Sequence, residues 1–173
     1  MARLKAVLTL AIGPTLMKKS MPPRVEIDTL PGHQIRRLHQ IAVAIFLQET
    51  ETHGLTPVQF AAMQAVANTP GFDQRTLAST VGFDTSTIGG VIDRLEARGL
   101  IVRNASPNDR RVRLLTLTDA GRALLGAIVP AMLRAQERML APLPVKERPE
   151  FMRMLRVLVA ANNDRSRAPS DVP

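Results

Sequence analysis

Helix-capping residues and glycines divide the middle of the chain into short segments, and this division constrains the fold more than any other feature of the sequence. The dividing positions are Thr56, Asp73, Gly82, Asp84 and Gly99. Thr56 is followed by proline and, three positions on, by Gln59, which completes a capping box. The aspartates can cap helices, and the glycines suit the left-handed residue that ends one. The pattern predicts three consecutive helices, the last two separated by a turn at Gly82.

Two runs of β-forming residues follow the third helix, at 100–105 and 112–117, and a turn-forming segment separates them. A short helix, a tight turn and a capped second helix together describe a helix-turn-helix, which can place its second helix in the major groove of DNA. A hairpin directly after it describes a wing. The prediction is a mainly α fold with a small β-hairpin wing, that is, a winged helix-turn-helix.

Long amphipathic helices are predicted on both sides of this segment. Apolar positions recur at helical spacing over 34–52, and Thr118 caps a long helix in which a kink is expected at Pro130. A last helix covers about 145–161. The apolar residues of the last two helices lie far from the helix-turn-helix in sequence, so they either pack within the chain or form a dimer interface.

The composition of the chain excludes several kinds of site and bears on its location in the cell. The chain has no cysteine, which excludes disulfides, thiolate metal sites and cysteine redox sensing. Its formal net charge is +8, and residues 1–24 supply +5 because they hold five basic residues and no acid. A secretory signal around 6–12 is disfavoured, because the apolar run is short and Lys18-Lys19 follow it. A cytoplasmic protein that does not contact membranes is expected.

The predicted second helix of the helix-turn-helix has a polar outer side. Thr85 and Ser86 stand at its start, where short hydroxyl side chains can contact phosphates or base edges, and Arg94 lies further along. Gly89-Gly90 is an unusual choice inside a helix, since each glycine costs roughly 0.5–1 kcal/mol relative to alanine. Either a close approach to DNA or tight packing against a neighbouring helix accounts for the pair.

The predicted hairpin is strongly basic. Arg103, Arg110, Arg111 and Arg113 cluster on and around its tip, and Asp109 is its single acid. A protruding basic hairpin can follow phosphates and insert an arginine into the minor groove, and Asp109 is placed to orient the guanidinium of Arg111. A solvated charged turn is the alternative, which the position directly after a helix-turn-helix disfavours.

The segments TIGGVIDRLEARGLIVR and NDRRVRLLTLTDAG resemble the MarR family of bacterial transcriptional regulators, and the resemblance covers about 31–161. It implies a homodimer, built by the first and the last two helices, that binds palindromic operators. Thr85, Ser86 and Thr87 match the start of the family's recognition helix, and Asp109 and Arg111 match its wing pair. The predicted DNA-binding residues are therefore Thr85, Ser86, Thr87, Gly89, Gly90, Arg94, Arg103, Asp109, Arg110, Arg111 and Arg113.

With this resemblance, the chain is expected to have five regions. They are a disordered or mis-annotated N-terminal arm at 1–30, dimerisation helices at 31–54 and 119–161, the winged helix-turn-helix lobe at 55–118, and a flexible tail at 162–173. The arm lies outside the segments that resemble the family. Double-stranded DNA and a second copy of the chain are the expected partners.

The resemblance also implies release of DNA by a small aromatic carboxylate or phenolic ligand. Arginines can pair with a carboxylate, and histidines can bond a phenolic hydroxyl. The candidate residues are His33, Arg36, Arg37, His39, Phe46, Phe60 and Met63. The alternative is that these arginines are solvated and His39 is an ordinary interface residue. No cofactor is expected, and three scattered histidines without thiolates make a metal site unfavourable.

The sequence disfavours two further classes of protein. An enzyme is disfavoured because the sequence contains no glycine-rich phosphate loop, no nucleophile elbow and no paired His-Glu metal motif. A winged-helix module that binds only proteins would not need the arginines of the hairpin. A ligand-responsive DNA-binding repressor is therefore the predicted function.

Overall fold

The computed structural model describes residues 24–166 and 168–170, so most of the predicted arm lies outside the described residues. The helices are α1 (Pro31–Glu49), α2 (Pro57–Asn68), α3 (Gln74–Val81), α4 (Thr85–Ala97), α5 (Asp119–Leu140) and α6 (Arg148–Asn162). The strands are β1 (Phe72–Asp73), β2 (Ile101–Ala105) and β3 (Arg113–Leu117). Short 3-10 turns lie at Ile27–Thr29, Glu51–His53, Val145–Glu147 and Asn163–Arg165. The predicted winged helix-turn-helix is confirmed.

The predicted caps form as the sequence requires. At the start of α2 both bonds of the capping box are present, between Thr56 and Gln59. Asp73 accepts from the amide of Thr76 at the start of α3. Gly82 ends α3 in the left-handed conformation, with φ of 67°. Such φ values are open to glycine at little cost, so the tight turn follows from the local sequence.

The sheet has three antiparallel strands in the order β1-β3-β2, one more than the predicted hairpin. Phe72 pairs with Leu115, and the amide of Gly71 donates to the Leu115 carbonyl at 3.0 Å. A two-residue strand is too short for alternating burial to reveal it in the sequence. Its effect is to attach the start of α3 to the wing, so that the helix-turn-helix and the hairpin share one sheet.

The apolar core of the described residues lies between α2, α3, α4 and the sheet, and α1 and α5 close it on the other side. Its largest fully buried members are Leu55, Met63, Val66, Leu77, Ile88, Val91, Ile92, Leu95, Ile101, Leu115 and Ile128. Four of these come from α4 alone, at the spacing of one helix face. The inner side of α4 is thereby fixed in the core, and its other side is left for contacts outside the lobe.

The start of α5 is held tightly to the corner between α4 and β2. Thr118 Oγ1 donates to the Gly99 carbonyl at 2.7 Å and accepts from the Gly121 amide at 2.9 Å. A Cβ atom at Gly121 would stand 2.1 Å from the Leu100 carbonyl oxygen. Glycine is therefore required where the long helix leaves the lobe. The helix then continues through Pro130 to Leu140.

The connection between α1 and α2 is hydrogen-bonded to α5 and to the residue that ends α4. The Arg98 guanidinium donates to the Gly54 carbonyl at 2.7 Å, and His53 Nε2 lies 3.1 Å from the Ala127 carbonyl oxygen. Further along α1, Glu49 forms ion pairs with Arg134 and Arg138 of α5. These contacts fix the long helices α1 and α5 to each other and to the end of α4.

The outer helices bury little. Within α1 only Phe46 is buried, and α6 has no buried residue. Exposed large apolar side chains of the outer segments are Val25, Ile27, Leu30, Ile35, Ile41, Leu47, Leu133, Val145, Met154, Val157, Leu158 and Val159. No helix in the described part of the chain has both the length and the apolar character to cross a bilayer.

The described residues of the predicted tail fold back toward the helix-turn-helix. Asn163 and Ser170 exchange two hydrogen bonds, at 2.8 and 2.9 Å. Ser170 Oγ lies 3.4 Å from the carbonyl oxygen of Thr80 in α3, at the long end of hydrogen-bond distance. The segment after α6 therefore lies beside the end of α3.

Candidate nucleic-acid interface

The start of α4 is organised around the carboxylate of Asp84. One oxygen of this group accepts from the Thr87 amide at 2.8 Å and from the Ser86 hydroxyl at 2.5 Å. The other oxygen accepts from the Thr87 hydroxyl at 2.6 Å. These bonds, the one from Ser86 first, hold the pKa of Asp84 well below its ordinary value, because they favour the charged form. The sequence predicts the cap, whereas the capture of both hydroxyls is visible only in the structure.

The predicted contact residues at this helix start are all exposed. Thr85, Ser86 and Thr87 lie on the surface, and so does Arg94 about two turns further along. Among the described residues, the Thr85 hydroxyl has no hydrogen-bond partner, although its backbone carbonyl accepts from Gln74 Nε2 at 3.1 Å. The start of α4 thus presents a polar surface that the described residues leave uncovered.

The two glycines of α4 have different surroundings. A Cβ atom at Gly89 would stand 2.8 Å from Nε2 of Gln74, the side chain that bonds Thr85. Tight packing against α3 is therefore present at Gly89, as one of the two sequence interpretations requires. A Cβ atom at Gly90 would meet only the Arg94 guanidinium, at 3.5 Å. Packing within the chain thus gives no reason for glycine at Gly90.

Arg103 connects the wing to α4. Its guanidinium pairs with Asp93 at 2.5 Å and with Glu96, and its backbone amide donates to Glu96 at 3.3 Å. Partial burial opposes the charge of Arg103, but the bonds to these two acids outweigh it and raise its pKa. The guanidinium that the sequence predicts to contact DNA is thus paired with two acids of α4. No local sequence pattern shows this pairing, because the three residues meet only in the folded lobe.

The tip of the wing is exposed and its turn is held by Asp109. The side chain of Asp109 accepts from the Arg111 backbone amide at 2.8 Å, and its carbonyl accepts from the Val112 amide at 3.0 Å. The expected bond from Asp109 to the Arg111 guanidinium is not formed, since the carboxylate orders the backbone instead. Arg110, Arg111 and Arg113 are exposed, and no protein group of the described chain pairs with their guanidinium groups.

The wing and the start of α4 belong to one surface. Asp93 follows Ser86 by seven residues, two helical turns, so both lie on the exposed side of α4. Because Arg103 of β2 is bound to Asp93, the first strand of the wing is attached to that same side. The structure therefore brings together the two features that the sequence predicts to contact DNA, with exposed arginines on one and exposed hydroxyls on the other.

The candidate ligand residues are divided between the core and the surface. Phe46 and Met63 are buried, and the rings of Phe46 and Phe60 lie 5.9 Å apart at 52°. Arg36, Arg37 and His39 are exposed on α1, His33 is half-buried there, and Arg36 bonds Gln40 at 3.1 Å.

Phe60 also lines a surface groove of about 450 Å³ between α2, α3 and Phe72. None of the other six candidates lines it. The structure of one chain thus does not bring the predicted ligand residues together around this groove. Among the described residues, no group of three or more His, Asp or Glu side chains could hold a metal ion.

Similarity to known proteins agrees with this geometry. The model of the MarR family matches residues 53–112, the segment from the connection between α1 and α2 to the wing. The transcriptional repressor NicR of Pseudomonas putida is 30% identical over 156 residues, which cover 86% of this chain and 99% of NicR.

Solved structures extend the similarity to nearly the whole described fold. The transcriptional repressor CouR bound to a 23-mer DNA duplex is 32% identical with a TM-score of 0.74, covering 81% of this chain and 99% of CouR. BpsR of Bordetella bronchiseptica, whose DNA binding is regulated by 6-hydroxynicotinic acid, is 33% identical with a TM-score of 0.74 and covers 79% of this chain and 97% of BpsR. The chain therefore belongs to the MarR family of transcriptional regulators.

Proposed function

We propose that a homodimer of this chain represses transcription by binding a palindromic operator, and that a small aromatic carboxylate releases it. In this proposal α4 of each protomer enters a major groove and the wing follows the adjacent minor groove. One observation carries it: an exposed three-arginine wing is attached through Arg103 to the exposed side of α4. The DNA-bound state of the similar repressor CouR supports the same use of the fold.

The arginines of the wing tip have the exposure that phosphate contacts need. Arg111 belongs to a turn ordered by Asp109, and its side chain is free to extend toward a groove. Arg103 has a different role in the proposal. Because its guanidinium is held by Asp93 and Glu96, it sets the position of the wing relative to α4.

The salt dependence of DNA binding tests the wing. Arg111→Ala should weaken binding and reduce the slope of log K against log salt by about 1 for each protomer, since one phosphate contact is lost. Arg153→Ala is the matched control, because Arg153 is exposed but pairs with Glu150 on α6. If the parent protein, Arg111→Ala and Arg153→Ala all show an equally small slope, the chain is a protein-interaction module and the proposal is contradicted.

The proposed dimer uses the apolar surface of the outer helices. Ile35 and Leu158 are 56% and 53% exposed, and they line one groove with Phe151 between α1 and α6. Large contiguous apolar surfaces are uncommon on monomeric proteins and mark interfaces. Two-fold symmetry would then place two copies of α4 about one turn of DNA apart, or a small multiple of it.

Sedimentation of a charged variant tests the dimer. Leu158→Glu should sediment as a monomer and lose most of its operator affinity, because each protomer would bind its half-site alone. Arg156→Glu, two residues away on α6, is the charge control. If Leu158→Glu remains a dimer with full affinity, the interface lies elsewhere.

The proposed ligand would be held by the exposed arginines of α1. Arg37 has no hydrogen-bond partner among the described residues, whereas Arg36 bonds Gln40. Regulation of BpsR by 6-hydroxynicotinic acid supports an aromatic carboxylate. Calorimetric titration with benzoates, cinnamates, their coenzyme A thioesters and 6-hydroxynicotinic acid should give heat and loss of operator binding for one class. Arg37→Ala should abolish both effects. An absence of heat and of DNA release across the panel would contradict this part of the proposal.

A further inference from the structure

We infer that the start of α4 reads the exocyclic amino groups of adenine or cytosine in the major groove, with the hydroxyl oxygens of Ser86 and Thr87 as acceptors. This inference rests on the proposed DNA binding and deepens it. It assigns to Asp84 a role beyond capping: the carboxylate decides which kind of base edge the two hydroxyls can bind.

The first step is a count of protons. A hydroxyl group carries one proton and two acceptor lone pairs. The Ser86 proton lies in a 2.5 Å bond to one oxygen of Asp84, and the Thr87 proton lies in a 2.6 Å bond to the other. Both hydroxyls have therefore used their single donor inside the protein. What they present to an approaching molecule is oxygen lone pairs alone.

The second step is the strength of these bonds. Hydrogen bonds to an ionised carboxylate are roughly twice as strong as bonds between neutral groups. Asp84 is also held in place by the Thr87 backbone amide at 2.8 Å, so it cannot rotate away without uncapping the helix. A base that required a donor from Ser86 or Thr87 would have to break a charge-assisted bond. A base that offers a donor would leave the arrangement intact.

The third step concerns the phosphate backbone, which the hydroxyls of Ser86 and Thr87 are poorly suited to bind. A helix N-terminus usually attracts anions through its free amides and its dipole. Here the carboxylate of Asp84 already accepts from the Thr87 amide and places a negative charge at the helix start. A phosphate would meet this charge and two hydroxyls that cannot donate. The same surface is well suited to a hydrogen-bond donor.

The major groove offers few such donors. Adenine presents N6 and cytosine presents N4 as amino donors, whereas guanine O6 and N7 and thymine O4 are acceptors. Ser86 and Thr87 should therefore favour A or C on the strand that they face. Gln74 keeps this surface close to α3, since its side chain bonds the Thr85 carbonyl at 3.1 Å and lies against Gly89.

The experiment begins with selection of bound sequences from random duplexes by the full chain. Each adenine or cytosine of the selected half-site is then replaced by its analogue without the amino group, purine or 2-pyrimidinone. At one or two positions the replacement should weaken binding roughly fivefold to tenfold, the effect of losing one base contact. Ser86→Ala or Thr87→Ala should bind more weakly to the parent duplex and should be indifferent to the replacement at that position.

Asp84→Asn tests the role of the carboxylate. The amide retains one acceptor oxygen for the cap, but it cannot accept both hydroxyl protons, so one hydroxyl becomes free to donate. Discrimination against thymine or guanine at the coupled position should fall. Asp73→Asn is the matched control, because Asp73 caps α3 through the Thr76 amide and does not touch the hydroxyls of α4.

The outcomes separate this inference from the proposed function. If the parent protein binds no duplex more tightly than random DNA, the proposed function fails. If it binds a selected duplex, but the amino groups coupled to Ser86 and Thr87 have no effect or Asp84→Asn keeps full discrimination, only the inference is overturned. Loss of the amino-group effect in both hydroxyl variants, with Asp73→Asn unchanged, supports it.

Discussion

Helices α4 and α6 are similar in length, but they differ in how much of their apolar surface the chain itself covers. Ile88, Val91, Ile92 and Leu95 of α4 are all buried. Met154, Val157 and Leu158 of α6 are about half exposed. The lobe that would read DNA is therefore complete within one chain. The outer helices are not, because the described residues leave their apolar face uncovered.

This difference separates two sources of stability. The lobe owes its stability to burial, caps and sheet bonds inside one protomer, which are independent of protein concentration. The outer helices would gain theirs from association, which is linked to concentration by mass action. Variants in the two regions should therefore behave differently, and the predictions below use that difference.

The largest expected effect is in the core of the lobe. Leu95→Ala should lower the free energy of unfolding by about 2–5 kcal/mol, because it leaves a cavity in a fully buried site. The effect should not depend on protein concentration. Leu158→Ala should cost most at concentrations where the parent and the variant are both dimers, and progressively less on dilution toward the monomers. Denaturant unfolding at several protein concentrations measures the free energy of unfolding of both variants. If it depends on concentration equally in the two, the lobe and the outer helices do not differ in their source of stability.

The next largest effect on the free energy of unfolding is expected at the start of α5, where this helix leaves the lobe. Gly121→Ala should lower the free energy of unfolding by about 1–3 kcal/mol, because the new methyl group would overlap the Leu100 carbonyl. Gly126→Ala in the same helix is the control, since no atom lies within 4 Å of its added Cβ. It should stabilise α5 by up to about 1 kcal/mol through helix propensity. Thermal unfolding compares the pair, and equal midpoints would show that α5 is not fixed at this corner.

The same contrast explains what could be predicted from the sequence. The caps at Thr56, Asp73 and Thr118 depend on residues within three positions, so the sequence predicts them correctly. The contact of Gly121 with Leu100 joins residues that meet only after β2 and β3 have paired. Sequence reasoning missed it, as it missed the two-residue strand β1, because neither leaves a periodic pattern.

The candidate site divides in the same way. The exposed arginines of the wing and the hydroxyls of α4 follow from residue type and element order. The partners of Arg103 do not, because Asp93 and Glu96 lie on another element and become neighbours only in the folded lobe. The sequence therefore identifies which residues form the surface, and the structure shows which of them face outward and which hold others in place.

Substitutions of the two glycines of α4 should have smaller effects on stability, and these should differ between the two positions. Gly90→Ala should raise the free energy of unfolding by about 0.5–1 kcal/mol, because the helix gains propensity and the methyl group has room. Gly89→Ala should gain little, since the methyl group displaces Gln74 from its bond to Thr85.

Operator affinity distinguishes the roles of these glycines. If DNA approaches α4 closely at Gly90, Gly90→Ala should bind DNA more weakly despite its greater stability, and Gly90→Leu should abolish binding. Unfolding curves and binding isotherms on the same samples measure both properties. Full affinity of Gly90→Leu would exclude a close approach of DNA at this position.

The smallest effect is expected in acid, where Asp84 and Asp73 can be compared as caps of the two helices. Both have a pKa below the ordinary value of 3.8, Asp84 chiefly through Ser86 and Asp73 chiefly through the Thr76 amide. Folding thus favours the charged form of each carboxyl group. Its contribution to stability is complete at a pH above the ordinary pKa, and it is lost as the pH falls through the lowered pKa of the folded state. Asp84→Asn should therefore flatten the loss of stability below about pH 4, and Asp73→Asn should flatten it less, since Asp84 also holds two hydroxyls. Chemical unfolding between pH 2 and 5 measures the slopes, and an unchanged slope for Asp84→Asn would mean that the carboxylate is not held by these bonds in solution.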